Sequence, residues 1–264
     1  MFKHSFYEAI KWINDSISLF RQKPAMCMLL ALSYVAIGIT PAIGGLPIPI
    51  KLLAILSLPS FQLMVINFYL ELDKGRQPKL AGLFNLIKPY IGKLVILGGI
   101  CLLYSALASE LTSSDLATLN TMMQDGSDNE AIATKFLPLM LKVLLLLAPL
   151  LMATWFAPML IVHHQFSIFR AIKSSIAGSL YSALSLGIAW AILTLAFAVA
   201  MTLIGAVVAI VAAISQHAAE ALASLILINC FLVATALMLA FQYVSYRDVF
   251  AKKFENLVKV DITA

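Results

Sequence analysis

The sequence has 264 residues, of which 62% are hydrophobic and only 12% are charged, and its mean hydropathy is +0.96. Water-soluble domains carry about 25% charged residues, so this composition excludes a soluble globule and indicates that lipid surrounds most of the chain. Lipid offers no partner for backbone polar groups, and the apolar runs lack strand-like alternation, so each crossing is expected to be helical. The net charge of +5 is spread over short connections, which argues against nucleic acid as a partner.

Residues 1–24 have the pattern of an amphipathic helix that lies along a membrane surface. Apolar residues recur every three or four positions, and Trp12 suits the interface between lipid and water. The apolar positions are Phe2, Phe6, Ile10, Ile13, Ile17 and Phe20. The sequence therefore predicts an N-terminal interfacial helix.

Six apolar runs approach or exceed the roughly 20 residues that a helix needs to cross the ~30 Å hydrocarbon core. The predicted crossings are residues 25–43, 50–70, 91–108, 143–162, 181–214 and 221–243. As one helix the fifth run would be about 50 Å long, and we favour one tilted helix that bends near Gly205 over two re-entrant segments. Residues 25–246 are thus predicted to form one all-α, polytopic transmembrane bundle.

The connections between the crossings differ in length and charge. Residues 109–135 are acidic and are predicted to form an outer loop that contains a short exposed helix. Short amphipathic segments precede the third and fifth crossings, and a polar tail, residues 247–264, follows the sixth. This order suggests a threefold internal repeat of surface helix, crossing out, connection and crossing back. The alternative is that unrelated crossings happen to be joined by interfacial helices.

The basic residues predict which way the bundle faces. Most of the 18 Lys and Arg residues fall in the N-terminal helix, after the second, fourth and sixth crossings, or in the tail. By the positive-inside rule both termini are expected to be cytoplasmic, with residues 109–135 outside, in the periplasm if the host is Gram-negative.

Polar and proline residues within the crossings form a candidate intramembrane site. Two prolines flank a tryptophan in the fourth crossing and can open a helix, as in the broken helices of transporters, although ordinary kinking is the alternative. Amides in the second and sixth crossings are costly to leave unpaired and are expected either to join helices or to bind a substrate. The candidate residues are Gln62, Asn67, Pro149, Trp155, Pro158 and Asn229.

A second candidate site lies at the predicted cytoplasmic interface and comprises His163, His164, Arg247 and Asp248. An adjacent histidine pair can handle protons or metal, but interfacial histidines are also ordinary anchors. The arginine is expected to reach lipid phosphates or helix-end carbonyls. We find no hydrolase, nucleotide-binding or metalloprotease motif, and the three cysteines lie in apolar runs without metal-ligand spacing. The sequence predicts no catalytic residue, no metal site and no cofactor, and so no enzyme.

Three motifs resemble an uncharacterised family of bacterial polytopic inner-membrane proteins. They are WFAP at residues 155–158, FRAIKSS at residues 169–175 and SYRDVF at residues 245–250. The resemblance is strongest over residues 140–250 and departs only at Val249, where many members have Ile. It implies a location in the bacterial inner membrane and brings no catalytic residue.

Three functional hypotheses follow. The leading one is a structural or accessory component of envelope or lipid-related machinery, with membrane lipids and membrane proteins as partners. The alternative is a small transporter or channel that uses the proline-bent fourth helix. A membrane enzyme acting on lipids is a third hypothesis, and it requires His163 or His164 to lie beside a carboxylate such as Asp248.

Overall fold

The computed structural model describes residues 2–125 and 129–251, and within these ranges it is helical, without a β-strand. It contains ten α-helices and ends in a π-helical turn, Arg247–Ala251. The helices are α1 Phe2–Gln22, α2 Pro24–Ile39, α3 Ile48–Asp73, α4 Leu80–Ile87, α5 Ile91–Gln124, α6 Asn129–Trp155, α7 Ala157–His163, α8 Ile168–Tyr181, α9 Ala183–Ala212 and α10 Gln216–Tyr246.

Six helical segments are long and apolar enough to cross a membrane, which confirms the predicted all-α polytopic bundle. They are Pro24–Ala42, Ile48–Asp73, Leu80–Gln124, Glu130–His163, Ala183–Ala212 and Gln216–Phe250. The fifth crossing is a single helix, α9, rather than two re-entrant segments. The N-terminal helix ends at Gln22, one residue before α2, as predicted. Residues 252–264 of the predicted tail lie outside the described residues.

Most of the predicted connection at residues 109–135 is helical: the helix expected within it is the end of α5, which continues to Gln124, and α6 begins at Asn129. Residues 109–124 contain no proline or glycine, and hydroxyl groups such as that of Thr112 bond back to helix carbonyls. The 34 residues of α5 extend about 51 Å, well beyond the ~30 Å hydrocarbon core. The polar ends of α5 and α6 therefore form a helical extension outside the apolar layer.

The order of elements repeats three times as predicted: an amphipathic helix is followed by two crossing helices. The repeats begin with α1, α4 and α8, and the middle pair ends in the additional short helix α7. Hydrogen bonds join the C-terminal parts of α3, α6 and α10 at one end of the bundle, which we call the base. The opposite end, where each pair of long helices is connected, is the turn end. In the first connection, Gly45 has a φ of +77°, which favours glycine.

Buried side chains are concentrated at the base in all six crossings. In α3 they begin at Pro59, in α10 they are almost all beyond Leu232, and α9 contributes only Ser185 and Ala189. Large apolar residues nearer the turn end remain exposed on α6, α9 and α10; they include Leu144, Leu145, Leu195, Leu203, Val207, Leu225 and Ile228. The six helices thus share a dense core only in the half of the bundle nearest the base.

Helices α1 and α8 bury small residues where they pack, and α1 also buries Trp12 and Leu19. The buried face of α1 is Ser5, Ala9, Trp12, Ser16 and Leu19, and that of α8 includes Ala171, Ser175, Gly178 and Ser179. The predicted apolar stripe of α1 lies beside this face, and two of its members, Phe6 and Ile10, are exposed. This arrangement leaves an apolar surface for lipid, as an interfacial helix requires.

Candidate functional site

Arg247 lies at the centre of the base, directly after α10. Its Nη1 donates to both carboxylate oxygens of Asp73 at 3.1 and 3.0 Å, and its Nη2 donates to Asp15 at 2.5 Å. Its Nε donates to the neighbouring Asp248 at 3.2 Å. The planar guanidinium can serve several carboxylates at once, which a lysine cannot do with the same geometry. One side chain thereby joins α1, α3 and the end of α10.

Lys11 and Asp248 extend this set of ion pairs. We call Lys11, Asp15, Asp73, Arg247 and Asp248 the charge cluster. Lys11 forms an ion pair with Asp248 at 2.5 Å, and the Trp12 ring nitrogen donates to the same oxygen at 3.2 Å. Three carboxylates face two cations, and the side chain of Asp248 is only 12% exposed. The arrangement satisfies the buried charges internally, which is the condition for placing them in a poorly solvated site.

A second set of polar side chains and backbone groups surrounds the break in the helix between α6 and α7. Pro158 has no N–H to continue the helix, and the backbone groups at the break are bonded by other helices instead. The Phe156 N–H donates to the Ser175 hydroxyl at 3.0 Å, and that hydroxyl donates to the Met152 carbonyl at 2.7 Å. The break is therefore bonded to α8 through Ser175, the last residue of the FRAIKSS motif.

The third helix to reach the break is α10. Gln242 donates to the Trp155 carbonyl at 2.5 Å and accepts from Gln62 of α3 at 2.8 Å. The Trp155 indole N–H donates to the Ser245 hydroxyl at 3.3 Å. We call Gln62, Trp155, Ser175, Gln242 and Ser245 the polar chain. It hydrogen-bonds α3, α6, α8 and α10 to one another at the level of the break.

Only some of the residues predicted for the intramembrane site lie together in the structure. Gln62 and Trp155 belong to the polar chain and Pro158 starts α7, whereas Pro149 lies within continuous helix and does not open it. Asn229 is exposed, and its amide donates to the Leu225 carbonyl of its own helix rather than to a member of the polar chain.

Asn67 has a different environment. Its side chain is 1% exposed, and among the described residues neither its amide nitrogen nor its oxygen has a hydrogen-bond partner. It does not join the polar chain, so it contributes to the α3 core rather than to a shared site.

Of the four residues predicted for the cytoplasmic interface, His163 and His164 lie beside Tyr246, whereas Arg247 and Asp248 belong to the charge cluster. The Tyr246 hydroxyl hydrogen-bonds the His164 Nε2 at 3.0 Å, and the Tyr246 ring packs beside His163. Burial lowers the pKa of His164 from its ordinary value of 6.5, so the ring is neutral at pH 7. Asp248 instead bonds Lys11, Trp12 and Arg247. Among the described residues no group of three His, Cys, Asp or Glu side chains is placed to hold a metal ion.

Sequence reasoning missed most of the charge cluster and much of the polar chain. Asp15 is a charge within the amphipathic helix α1, and Asp73 is the last residue of α3; both positions are usual for solvated side chains. Asp15 is separated from Arg247 by 232 positions and Asp73 by 174 positions. Gln242 gave a usable signal, because a glutamine within an apolar run needs a partner in lipid.

These features define a multi-pass helical membrane protein whose base is closed by paired charges and amides. Comparison with protein-family models, with curated proteins and with solved structures finds no match.

Proposed function

We propose that the base faces the cytoplasm of a bacterium and that the turn end faces outward, with both termini cytoplasmic. The support is the charge distribution: described basic residues cluster in α1, in the connections at the base and after α10. They are Lys3, Lys11, Arg21, Lys23, Lys74, Arg76, Lys79, Lys88, Lys93, Arg170, Lys173 and Arg247. The positive-inside rule assigns such a side to the cytoplasm. The motif resemblance supports the bacterial inner membrane.

Cysteine labelling tests this orientation. In a cysteine-free background, Glu130→Cys and Lys79→Cys introduce single thiols at opposite ends of the bundle. An impermeant maleimide added to intact spheroplasts should label the first variant and reach the second only after lysis. The reverse pattern would overturn the proposed orientation.

We also propose that the protein is a structural or accessory component of lipid-related envelope machinery. The observation that carries this proposal is the contrast between a base whose polar chain is internally bonded and a turn half that presents large exposed leucines and valines. A conduit for polar solutes needs unsatisfied polar groups along a path, whereas these faces offer apolar contact to acyl chains or to apolar helices.

Extraction into native nanodiscs tests the proposed role. Protein captured with its surrounding bilayer is compared by lipid mass spectrometry and proteomics with nanodiscs of an unrelated six-helix protein. Enrichment of a lipid class or of a defined membrane partner is expected. Recovery of the protein alone with bulk lipid would contradict the proposal.

The alternative, a small transporter or channel, is favoured by one observation: α6 breaks beside Trp155, and Gln242 bonds the carbonyl at that break. Helix breaks of this kind bind substrates in transporters. In reconstituted vesicles a transporter would exchange solute, and Gln242→Leu would abolish exchange while Asn229→Leu would not. Vesicles that exchange nothing would exclude this alternative.

A further inference from the structure

A cavity of about 490 Å³ lies between α5 and α6 near the turn end, well away from the charge cluster. Its volume falls within the range of small-ligand sites, roughly 300–1,000 Å³. The lining residues are Asp115, Thr118, Thr134, Lys135, Pro138, Leu139 and Lys142. Two lysines and one aspartate give the lining a net charge of about +1, which favours an anion.

The cavity lies where lipid headgroups are expected. Lys142 immediately precedes the uncharged run of residues 143–162, whose 20 residues span the ~30 Å hydrocarbon core as a helix. The cavity is therefore at the boundary between the apolar layer and water. Lys142 is paired with Asp115 at 2.6 Å, which fixes its ammonium at the cavity wall and links the two helices.

The surface below the cavity is apolar. Leu111 lies one turn below Asp115 on α5, and Leu145 lies one turn below Lys142 on α6; their exposed fractions are 48% and 63%. Residues four or three positions apart share a helix face, so both leucines continue the cavity side toward the membrane middle. A ligand with an anionic head and an apolar tail fits this arrangement, with its head in the cavity and its tail over the two leucines.

We propose that this cavity binds the phosphate group of an amphipathic phosphate ester, a phospholipid headgroup whose acyl chains lie over Leu111 and Leu145. Lys135 and Lys142 donate to the phosphate oxygens, as ammonium groups do in other phosphate sites. Asp115 competes with the anion for the Lys142 ammonium and opposes the anion by its own charge. The inference rests on the proposed lipid-related role and names the lipid chemistry at one site.

Native mass spectrometry of protein in phosphate-free maltoside micelles tests the site. The probes are phosphatidylglycerol and diacylglycerol with the same chains, so that they differ by the phosphoglycerol head. Wild type should bind the first more tightly. Each of Lys135→Gln and Lys142→Gln should weaken phosphatidylglycerol binding about tenfold, since a hydrogen bond to a charged group contributes about 1.5–3 kcal/mol. Lys51→Gln, which removes a lysine outside the cavity lining, is the matched control.

Asp115→Asn separates a binding role from a structural one. It removes the opposing charge and should strengthen phosphatidylglycerol binding severalfold, whereas loss of a merely structural ion pair would weaken it. If soluble glycerol 3-phosphate displaces phosphatidylglycerol, the cavity binds phosphate and its ligand is a soluble ester. If it does not displace phosphatidylglycerol, the ligand is the lipid. Equal binding by wild type and both lysine variants would overturn the site. If nanodiscs show no lipid or partner enrichment, the proposed function fails separately.

Discussion

The base and the turn half consist of the same six helices, yet the dense core that all six share lies at the base. Every crossing is apolar throughout, so apolarity alone does not decide where helices meet. In lipid, helix association depends on close packing of small residues and on polar pairs, because acyl chains are as apolar as leucine. The base has both features, whereas among the described residues the turn half of α9 and α10 has no inter-helix polar pair and few buried residues. Leucines occur in both halves, so buried small residues and paired polar groups, rather than leucine content, distinguish the packed half of this bundle.

Two glycines show how closely the helices approach in the base half. A Cβ on Gly98 would lie 3.0 Å from the Leu56 carbonyl oxygen, and one on Gly178 would lie 2.5 Å from the Phe250 ring. By contrast, a Cβ on Gly205, in the turn half of α9, would meet nothing within 4 Å. The contrast between the halves can be tested by substitutions matched for chemistry and different in location.

The largest effect is expected from Arg247→Gln. It leaves Asp15, Asp73 and Asp248 close together with Lys11 as the remaining cation of the charge cluster. Removing one partner of a buried charge network costs about 3–5 kcal/mol, and the partial exposure of this one reduces the expected loss to about 2–4 kcal/mol. Thermal unfolding in detergent measures it. The control Arg76→Gln, at a side chain that is 67% exposed, should change stability by less than about 0.5 kcal/mol. Equal losses would show that the charge cluster adds no stability.

Gly98→Ala is expected to cost about 1–3 kcal/mol, because the new methyl group would press on the Leu56 backbone, which cannot rotate away. Gly99→Ala on the same helix would meet only a flexible Leu56 side-chain atom at 3.9 Å. That control should be neutral or slightly stabilising, since alanine is the better helix former. The urea or detergent midpoint of unfolding distinguishes them, and destabilisation by both alike would argue against a close approach of α3 and α5.

Gln242→Leu should destabilise the protein by about 1–3 kcal/mol, since it leaves the Trp155 carbonyl and the Gln62 amide without their partner in a buried site. Asn229→Leu, on the same helix, removes only a bond to its own helix at an exposed position. Its expected effect is within about 0.5 kcal/mol. The two variants are compared by thermal unfolding in the same detergent. A larger effect at Asn229 would show that the turn half contains unrecognised packing.

The smallest effect on stability is expected from a change of pH, which acts through His164 at the base. The folded protein holds the pKa of His164 below 6.5, so protonation favours the unfolded chain. The stabilisation is fully present above pH 6.5 and is lost as the pH falls below that value toward the folded pKa. Unfolding temperatures between pH 8 and pH 5 should fall more steeply for wild type than for His164→Gln. Parallel curves for the two proteins would assign the pH dependence to other groups.

The fold was largely predictable because lipid imposes strong constraints on sequence. Runs of about 20 uncharged residues, such as residues 143–162, have few structural alternatives to a crossing helix. A short helix was expected within residues 109–135, but its continuity with α5 was not, because its polar residues carry no apolar period and hydrophilic sequence outside a membrane is compatible with loop or helix. The exposed stripe of α1 was recognised, but its packing face of Ser5, Ala9 and Ser16 was not. Small residues give little signal in a hydropathy pattern.

The candidate sites were less predictable, because they depend on which helix ends meet. Pro158 and Trp155 marked the real break in the fourth crossing, and Gln62 marked one partner of the polar chain. Nothing in the sequence pairs Asp15 and Asp73 with Arg247, since the partners are separated by 232 and 174 positions. Such pairings follow from the threefold arrangement of helices and become visible only in three dimensions.

Carbene footprinting of the wild-type protein in nanodiscs tests the central contrast most directly. A membrane-soluble diazirine labels side chains that lipid contacts, and peptide mass spectrometry locates the label without any substitution. The account predicts heavy labelling of α9 and α10 near the turn end, at residues 195–210 and 225–231, and little labelling of α10 at residues 239–246. Equal protection of both ends of α10 would contradict it, because the turn half would then be as closely packed as the base.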